Sequence, residues 1–290
     1  MTPIDLADGR ELDIQVTGPQ DGIPLVMHHG TPGSIVCFRV VEEAVHRRGL
    51  RLVTYSRAGY GTSTRKPGRT VADIAADVTA VLDHIGAERC VTLGWSGGGP
   101  HALASAALLP GRVVAATTIA SVGPYGIDDL DFLAGMGQGN IEEFGAALAG
   151  EPKLAAALDE AAVELRGAGP DEVVASMSTL LPDEDRAVVV GEVGEELAAQ
   201  ITEGVRLGAG GWIDDDLAFV NHWGFSVDDI TVPVFVWQGD RDLMVPFAHG
   251  RWLADRIPGA VAHLLPGEGH ISVFINRVDE ILGELAAALS

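Results

Sequence analysis

The sequence predicts an α/β fold built on a largely parallel β-sheet. From residue 23 to residue 120, short apolar runs alternate with longer helix-forming segments, a pattern typical of parallel strands joined by covering helices. One of these runs, 91–94, leads through a glycine-rich turn into an alanine- and leucine-rich helix over 101–109. Continuous apolar segments of this kind are typical of strands that are buried on both faces of a sheet.

The other elements follow in order along the chain. Alternating apolar and polar residues at 11–17 predict an edge strand, and the turn residues at 19–22 indicate an opening hairpin. The remaining periodic segments predict strands at 23–27, 50–55, 113–120, 232–237 and 260–265, and helices at 35–48, 71–85, 249–256 and 273–289. Between 125 and 229 the alternation stops, and we expect an insertion with helices at 140–150, 153–166, 171–181 and 183–207.

Composition and charge limit the classes of partner. The chain has 290 residues, 47% of them hydrophobic, and a formal net charge of −22, so it can bury a large core but repels phosphate backbones and anionic lipid. We therefore expect neither nucleic acid nor a membrane as a partner. Between 125 and 220 there are 21 acidic residues against four basic ones, which we interpret as solvated helix faces.

Targeting and cofactor signals are weak throughout the sequence. The two cysteines, Cys37 and Cys90, have no metal-ligand or redox spacing and are expected to be reduced and buried. The first residues lack the basic and apolar regions of a signal peptide, and no segment approaches the roughly 18 to 20 apolar residues of a membrane span. We expect a cytoplasmic protein that uses neither a metal nor a cofactor, since no nucleotide-binding fingerprint appears either.

The most informative motif is G-x-S-x-G, formed by Gly94, Ser96 and Gly98. In a strand-turn-helix context this pattern predicts a sharp turn, because a Cβ at either flanking position would collide with the strand or the helix. Such a turn lifts the serine Oγ out of the sheet, beside a helix N-terminus that favours negative charge. Taken alone, the pentad also fits an ordinary glycine-rich turn.

Candidates for a base and an acid follow the last two strands. A serine hydroxyl needs a base to take its proton, and the base needs a third group to orient it. Asp240 and Asp242 follow the strand at 232–237, and His270 lies in a glycine-flanked loop after the strand at 260–265. Loops at the carboxyl ends of parallel strands converge at one edge of a sheet, so these residues are expected beside Ser96.

Four motifs carry a family resemblance: H-H-G-T-P-G-S, G-W-S-G-G-G, G-D-R-D-L-M-V-P and G-E-G-H. With its order Ser, Asp, His, the chain resembles the α/β-hydrolase-fold serine hydrolases, in the branch of esterases, epoxide hydrolases and proline iminopeptidases. The resemblance implies a mostly parallel eight-stranded sheet flanked by helices, with a helical cap inserted after the sixth strand. It implies a core domain of residues 1–124 and 230–290 and a cap of residues 125–229. Epoxide hydrolases and haloalkane dehalogenases attack with an aspartate where this chain has Ser96, so both are disfavoured.

The same resemblance assigns a role to each residue of the triad. It implies Ser96 as nucleophile, His270 as base and Asp242 as the acid that partners the base. Asp242 is preferred over Asp240 because relatives place the acid three residues beyond a glycine, here Gly239, with a Val-Pro pair shortly after it. Asp240 is then interpreted as a turn residue.

The resemblance also implies an oxyanion hole and a substrate pocket. The backbone amides of Thr31 and Gly97 are the implied oxyanion donors, with a cis bond between Thr31 and Pro32. A plain βα loop is the alternative for the segment around Thr31. We expect a substrate pocket that includes His29, Trp95, Trp212 and Trp223.

Three functions fit these expectations. The leading one is hydrolysis of a small carboxylic ester, because an ester has a good leaving group. The second is an aminopeptidase similar to proline iminopeptidase, in which a carboxylate pair such as Glu142 and Glu143 holds a substrate ammonium. The third is a non-catalytic ligand-binding protein on the same fold, which an intact triad disfavours. The expected partner in each case is a small molecule, for an enzyme an ester or an amide.

Overall fold

In the computed structural model, residues 2–289 are described and eight strands form one sheet. The strands lie in the order β1-β2-β4-β3-β5-β6-β7-β8. Strand β2 is antiparallel to β1 and β4, and all other neighbours are parallel, which confirms the predicted mostly parallel sheet. The strands are β1 (Thr2–Asp5), β2 (Glu11–Thr17), β3 (Pro24–His28), β4 (Arg51–Tyr55), β5 (Cys90–Trp95), β6 (Val113–Ile119), β7 (Val234–Gly239) and β8 (Val261–Leu265).

Within the described residues, eleven α-helices surround this sheet. Helix α1 packs against α11, α2 packs against α3, and α10 packs against β7 and β8. The helices are α1 (Arg39–Arg47), α2 (Ile74–His84), α3 (Gly99–Leu108), α4 (Gln138–Leu148), α5 (Glu151–Leu165), α6 (Pro170–Ser176), α7 (Asp183–Val188), α8 (Gly191–Gly204), α9 (Gly210–Phe219), α10 (Phe247–Arg256) and α11 (Ser272–Ala287).

The central strands explain the apolar runs of the sequence. Every residue of β3, β5 and β7 is buried, as expected for parallel strands that helices cover. Helices α4 to α9 all lie between β6 and β7, so the long helical insertion follows the sixth strand as predicted. The core strands therefore hold the loops at their carboxyl ends, where the predicted site residues lie.

The N-terminal region differs from the predicted hairpin. The turn at 19–22 does not pair β2 with β3, because β2 lies between β1 and β4, with Ile14 opposite Tyr55. The strand that precedes β2 in the chain, β1, is its neighbour on the other side and includes Pro3. With only four residues, β1 has too little periodicity to be predicted, and without it the sequence predicts β2 at the edge of the sheet.

The helical insertion differs from the prediction in three places. The predicted helix over 183–207 is divided into α7 and α8, with a break at Val189 and Val190, and Gly191 follows with a left-handed φ of 53°. Three consecutive β-branched valines, 188–190, lower the helix propensity at this break. The helix predicted over 171–181 ends at Ser176, and α9 is an additional helix where the sequence analysis predicted none.

The described residues also allow statements on helix length and on the two cysteines. No helix within residues 2–289 is long and apolar enough to cross a bilayer. Cys90 is buried as predicted, whereas Cys37 is only partly buried, and both are free thiols.

Candidate active site

The turn after β5 holds Ser96 in a conformation that residues with a side chain seldom adopt. Its φ is 56°, which lies in the left-handed region. A Cβ added at Gly94 would collide with the backbone of Gly98, and one added at Gly98 would collide with that of His28. Both flanking glycines are therefore required for the turn, for the reason inferred from the motif. The turn delivers Ser96 to the start of α3.

His270 and Asp242 meet beside this turn. Nδ1 of His270 lies 2.8 Å from Oδ2 of Asp242, and both side chains are buried. Because an ionised carboxylate can only accept, Nδ1 carries the hydrogen and Nε2 is left as the acceptor nitrogen of the neutral ring. Burial alone would lower the pKa of His270, but the charge and hydrogen bond of Asp242 outweigh it and raise that pKa. His270 is thus arranged to accept a proton at Nε2.

The loop after β7 fixes the Asp242 carboxylate. Its Oδ1 accepts hydrogen bonds from the backbone N–H groups of Met244 and Val245, each at 2.8 Å. The side-chain amide of Gln238 donates to Oδ2 at 3.0 Å. These donors orient the carboxylate toward His270 and compensate for its burial.

Asp240 has a different position. Its Oδ1 accepts a hydrogen bond from the backbone N–H of Gly267 at 2.8 Å, which ties the loop after β7 to the loop after β8. Asp240 therefore holds a turn, and the structure brings Asp242 to His270.

The segment around Thr31 lies against the turn at Ser96. Thr31 and Gly97 border the same cavity as Ser96, and a Cβ added at Gly97 would collide with the Thr31 side chain. The bond between Thr31 and Pro32 is cis, as the resemblance implied. The two residues implied as oxyanion donors are thus brought together beside the serine.

A buried cluster of charged residues around Asp215 holds the Thr31 segment in place. Oδ2 of Asp215, on α9, accepts hydrogen bonds from the Thr31 hydroxyl at 2.7 Å, the Tyr60 hydroxyl at 2.7 Å and the Arg57 guanidinium at 2.6 Å. Arg69 approaches Oδ1 at 2.7 Å. Burial alone would raise the pKa of Asp215, but Arg57 and Arg69 hold it well below its ordinary range. The cluster joins the helical insertion to the loop that carries Thr31.

A cavity of about 880 Å³ is bordered by Thr31, Gly97, Ser96 and His270. Ser96 and His270 border it together with Trp95 and Trp212, two of the four residues expected in the substrate pocket. The other two do not border it.

His29 and Trp223 lie outside the cavity for different reasons. His29 points into the protein, where its Nε2 accepts a hydrogen bond from the backbone N–H of Arg57 at 3.1 Å. Trp223 is buried and stacks on Phe225. Each residue stabilises a neighbouring loop, so the pocket prediction for these two is corrected. Sequence alone does not distinguish a tryptophan that lines a pocket from one that packs in a core.

The inner wall of the cavity carries two carboxyl groups. Glu143 on α4 and Asp216 on α9 both border it, and Oε1 of Glu143 accepts a hydrogen bond from the Trp212 indole at 2.9 Å. Burial raises the pKa of Glu143; burial and then the neighbouring Glu143 charge hold that of Asp216 well above its ordinary range. The pair therefore retains a proton more readily than exposed carboxylates do. Glu142, the other residue of the suggested pair, is exposed and lies outside the cavity.

Comparison with known proteins identifies the family to which this fold belongs. A profile that describes the alpha/beta hydrolase fold matches residues 23–276. The chain belongs to the alpha/beta hydrolase family. This alpha/beta hydrolase is 26% identical over 269 residues to the uncharacterized hydrolase YcgS from Bacillus subtilis, with 91% of this chain and 89% of that protein covered.

One further relative and two solved structures are also similar to this chain. The hydrolase is 32% identical over 151 residues to a non-heme chloroperoxidase from Streptomyces lividans; the match spans 51% of this chain and about half, 55%, of that protein. An alpha/beta hydrolase fold protein from Nakamurella multipartita has a TM-score of 0.66 at 26% identity, covering 100% of this chain and 99% of its own. A thermophilic esterase from Thermogutta terrifontis has a TM-score of 0.69 at 19% identity, covering 100% and 97%; at that identity the likeness concerns the fold.

Proposed function

We propose that this alpha/beta hydrolase cleaves a small carboxylic ester through an acyl-enzyme on Ser96. One observation carries the proposal: the cavity that contains Ser96 on its strained turn also contains His270, whose Nδ1 is held 2.8 Å from Asp242. A nucleophile, an oriented base and a buried acid on three separate loops form the arrangement that activates a serine hydroxyl.

The reaction follows from these positions. Nε2 of His270 takes the Ser96 proton as Oγ attacks the ester carbonyl, and the new oxyanion accepts hydrogen bonds from the backbone amides of Thr31 and Gly97. The His270 cation, stabilised by Asp242, then gives its proton to the departing alkoxide. In the second half, His270 takes a proton from water, hydroxide attacks the acyl-enzyme, and Ser96 is regenerated with release of the acid.

The helical insertion supplies the substrate-facing wall. We treat residues 125–229 as a cap over a core of residues 1–124 and 230–290, because residues of α4, α5, α6, α8 and α9 border the same cavity as the Ser96 turn. Apolar residues such as Phe144, Leu197 and Trp212 in this wall would contact the acyl or alcohol part of the substrate. A small neutral ester fits a cavity of this size and lining.

The direct test is labelling with a fluorophosphonate probe. Ser96 should be the residue modified, and mass spectrometry of the digested protein locates the adduct. Ser96→Ala should abolish both labelling and hydrolysis of p-nitrophenyl butyrate while the protein stays folded. Labelling at another serine, or full hydrolysis by Ser96→Ala, would refute the proposed role of Ser96, and a folded parent protein that neither labels nor turns over would favour a ligand-binding protein.

A second candidate function is an aminopeptidase-like activity on an aminoacyl amide. The observation that favours it is the charge of the cavity: Glu143, Glu164, Glu172 and Asp216 border it, and no Lys or Arg of the described chain does so. A carboxylate on the inner wall would give a charge-assisted hydrogen bond to a substrate ammonium. The ester stays the first candidate because the inner pair favours a shared proton, which reduces its charge.

A further inference from the structure

A residue of the helical insertion accepts hydrogen bonds from the backbone of the loop that carries His270. The buried carboxylate of Asp185, on α7, accepts hydrogen bonds at 2.8–2.9 Å from three consecutive backbone N–H groups, those of His270, Ile271 and Ser272. Asp185 is fully buried. The sequence analysis assigned this stretch, with its four adjacent charged residues 183–186, to a solvated helix face.

These three N–H groups need an acceptor. They belong to His270, which precedes the helix, to the N-cap residue Ile271 and to Ser272, the first residue of α11. The first N–H groups of a helix have no partner within the helix, and an N-cap side chain accepts only from N–H groups farther along the first turn. Asp185 supplies the acceptor for these three from another helix, and its charge is favourable at the helix N-terminus. A Cβ at Gly269 would collide with the Asp185 carboxylate, so that glycine permits the close approach.

We propose that Asp185 is a positioning residue: by binding the backbone of His270, it holds the imidazole in line between Asp242 and Ser96. This inference rests on the proposed function, since it assumes that His270 is the base. The ring of His270 is oriented through Nδ1 by Asp242, and its backbone is oriented through N–H by Asp185. The two carboxylates act on different atoms, so neither replaces the other. The helical insertion thus completes the catalytic geometry as well as covering the cavity.

Asp185 also acts on His270 through its charge. The charged groups around this loop are Asp242, Asp185, Asp240, whose carboxylate accepts from Gly267, Glu268, which pairs with Arg277, and the surface pair of Glu184 with Arg241. The charges of Asp242 and Asp185 both favour the imidazolium form of His270. Loss of the Asp185 charge should therefore make His270 less basic.

The test compares Asp185→Asn with Asp13→Asn. Asp13 on β2 is also buried and accepts a backbone N–H, that of Thr62, but its side-chain partner is Thr62 and not the loop that carries His270. Active sites are counted by fluorophosphonate titration, so kcat is obtained per active site and unfolded protein does not contribute. For Asp185→Asn, kcat should fall about 10- to 100-fold, the usual cost of a slightly misplaced catalytic group, with KM for p-nitrophenyl butyrate nearly unchanged.

The pH profile separates positioning from mere folding. The acidic midpoint of kcat/KM should move to lower pH in Asp185→Asn and stay in place in Asp13→Asn, even if both variants lose thermal stability. If Asp185→Asn keeps the parent's kcat per active site and its pH profile, the proposal is overturned. If it does not fold, Asp185→Ser, which keeps one acceptor oxygen, is assayed in the same way; failure of both to fold, with Asp13→Asn folded, overturns the proposal in favour of a folding role.

Two more variants keep this inference distinct from the proposed function. Ser96→Ala and His270→Ala are assayed beside Asp185→Asn. If they retain turnover, the proposed function fails, and the inference fails with it. If they are inactive while Asp185→Asn behaves as the parent protein does, only the inference fails.

Discussion

Asp242 and His270 are joined by a hydrogen bond of 2.8 Å between Oδ2 and Nδ1. Asp240, only two residues before Asp242, has its carboxylate on the backbone N–H of Gly267 instead. Asp242 is therefore placed to orient His270, the proposed base, whereas Asp240 is placed to hold a turn.

Substitution of the two aspartates should have unequal effects on turnover. Asp242→Asn removes the charge that stabilises the His270 cation and permits the wrong tautomer, so kcat should fall by roughly 10³- to 10⁴-fold, as in other serine triads. Asp240→Asn keeps an oxygen that can accept from Gly267, so most activity should remain. Steady-state kinetics on p-nitrophenyl butyrate measures both, and the opposite ranking would assign the acid to Asp240.

The pH dependence of turnover follows from the pKa of His270. Burial would lower this pKa, but the carboxylates of Asp242 and Asp185 raise it above its ordinary value of 6.5. The base must be neutral to accept the Ser96 proton, so kcat/KM should decrease as the pH falls through a midpoint above 6.5. In Asp242→Asn, the midpoint of the residual activity should lie at lower pH. A parent midpoint below 6.5 would contradict the ion pair with Asp242.

The sequence predicted the parts of the site that depend on local pattern. The turn at Ser96 follows from two glycines at which a Cβ would collide with backbone, and the order of the parallel strands brings the loops of Asp242 and His270 to the same edge. The preference for Asp242 over Asp240 rested on the family resemblance, whereas the turn and the convergence of the loops did not. These features are determined within a few residues or by the alternation of strands and helices.

Contacts between distant segments could not be predicted in this way. Asp185 and Asp215 occur in strongly acidic stretches that resemble solvated helix faces. Their partners, the N–H groups at the start of α11 and the guanidinium groups of Arg57 and Arg69, lie more than 80 residues away. The local pattern around Asp185 and Asp215 is the same as that of an exposed acidic helix face, so only the folded chain identifies their partners.

The cluster around Asp215 should contribute strongly to stability. Asp215→Asn would leave the buried guanidinium groups of Arg57 and Arg69 without their counter-charge, which typically costs about 3–5 kcal/mol. The matched control is Asp83→Asn, which breaks an exposed ion pair with Arg112 and should cost less than about 1 kcal/mol. Urea unfolding followed by circular dichroism measures both changes in the free energy of unfolding, and equal losses would contradict the role of the cluster.

The last prediction concerns the class of substrate, and it depends on Glu143 and Asp216. Because both pKa values are raised, the pair keeps a proton to higher pH than exposed carboxylates do and presents a weaker charge to the substrate. We therefore expect p-nitrophenyl butyrate to have a higher kcat/KM than alanyl or prolyl naphthylamide. The matched variants are Glu143→Gln, inside the cavity, and Glu142→Gln, on the exposed neighbour that contacts Gln138. For the neutral ester, neither variant should change KM appreciably.

The aminopeptidase alternative predicts a different effect of these variants on the amide substrates. If Glu143 binds a substrate ammonium, the lost charge-assisted hydrogen bond is worth roughly 1.5–3 kcal/mol, so Glu143→Gln should raise KM for the amides by about 10- to 100-fold while Glu142→Gln leaves it unchanged. N-acetylated amides should then show no such dependence. The advantage of the free amine should grow with pH as the pair loses its proton and should decline again where the substrate ammonium loses its own, near a pH of about 8. A prolyl or alanyl amide that exceeds every ester in kcat/KM, with this dependence on Glu143, would replace the esterase by an aminopeptidase on the same triad.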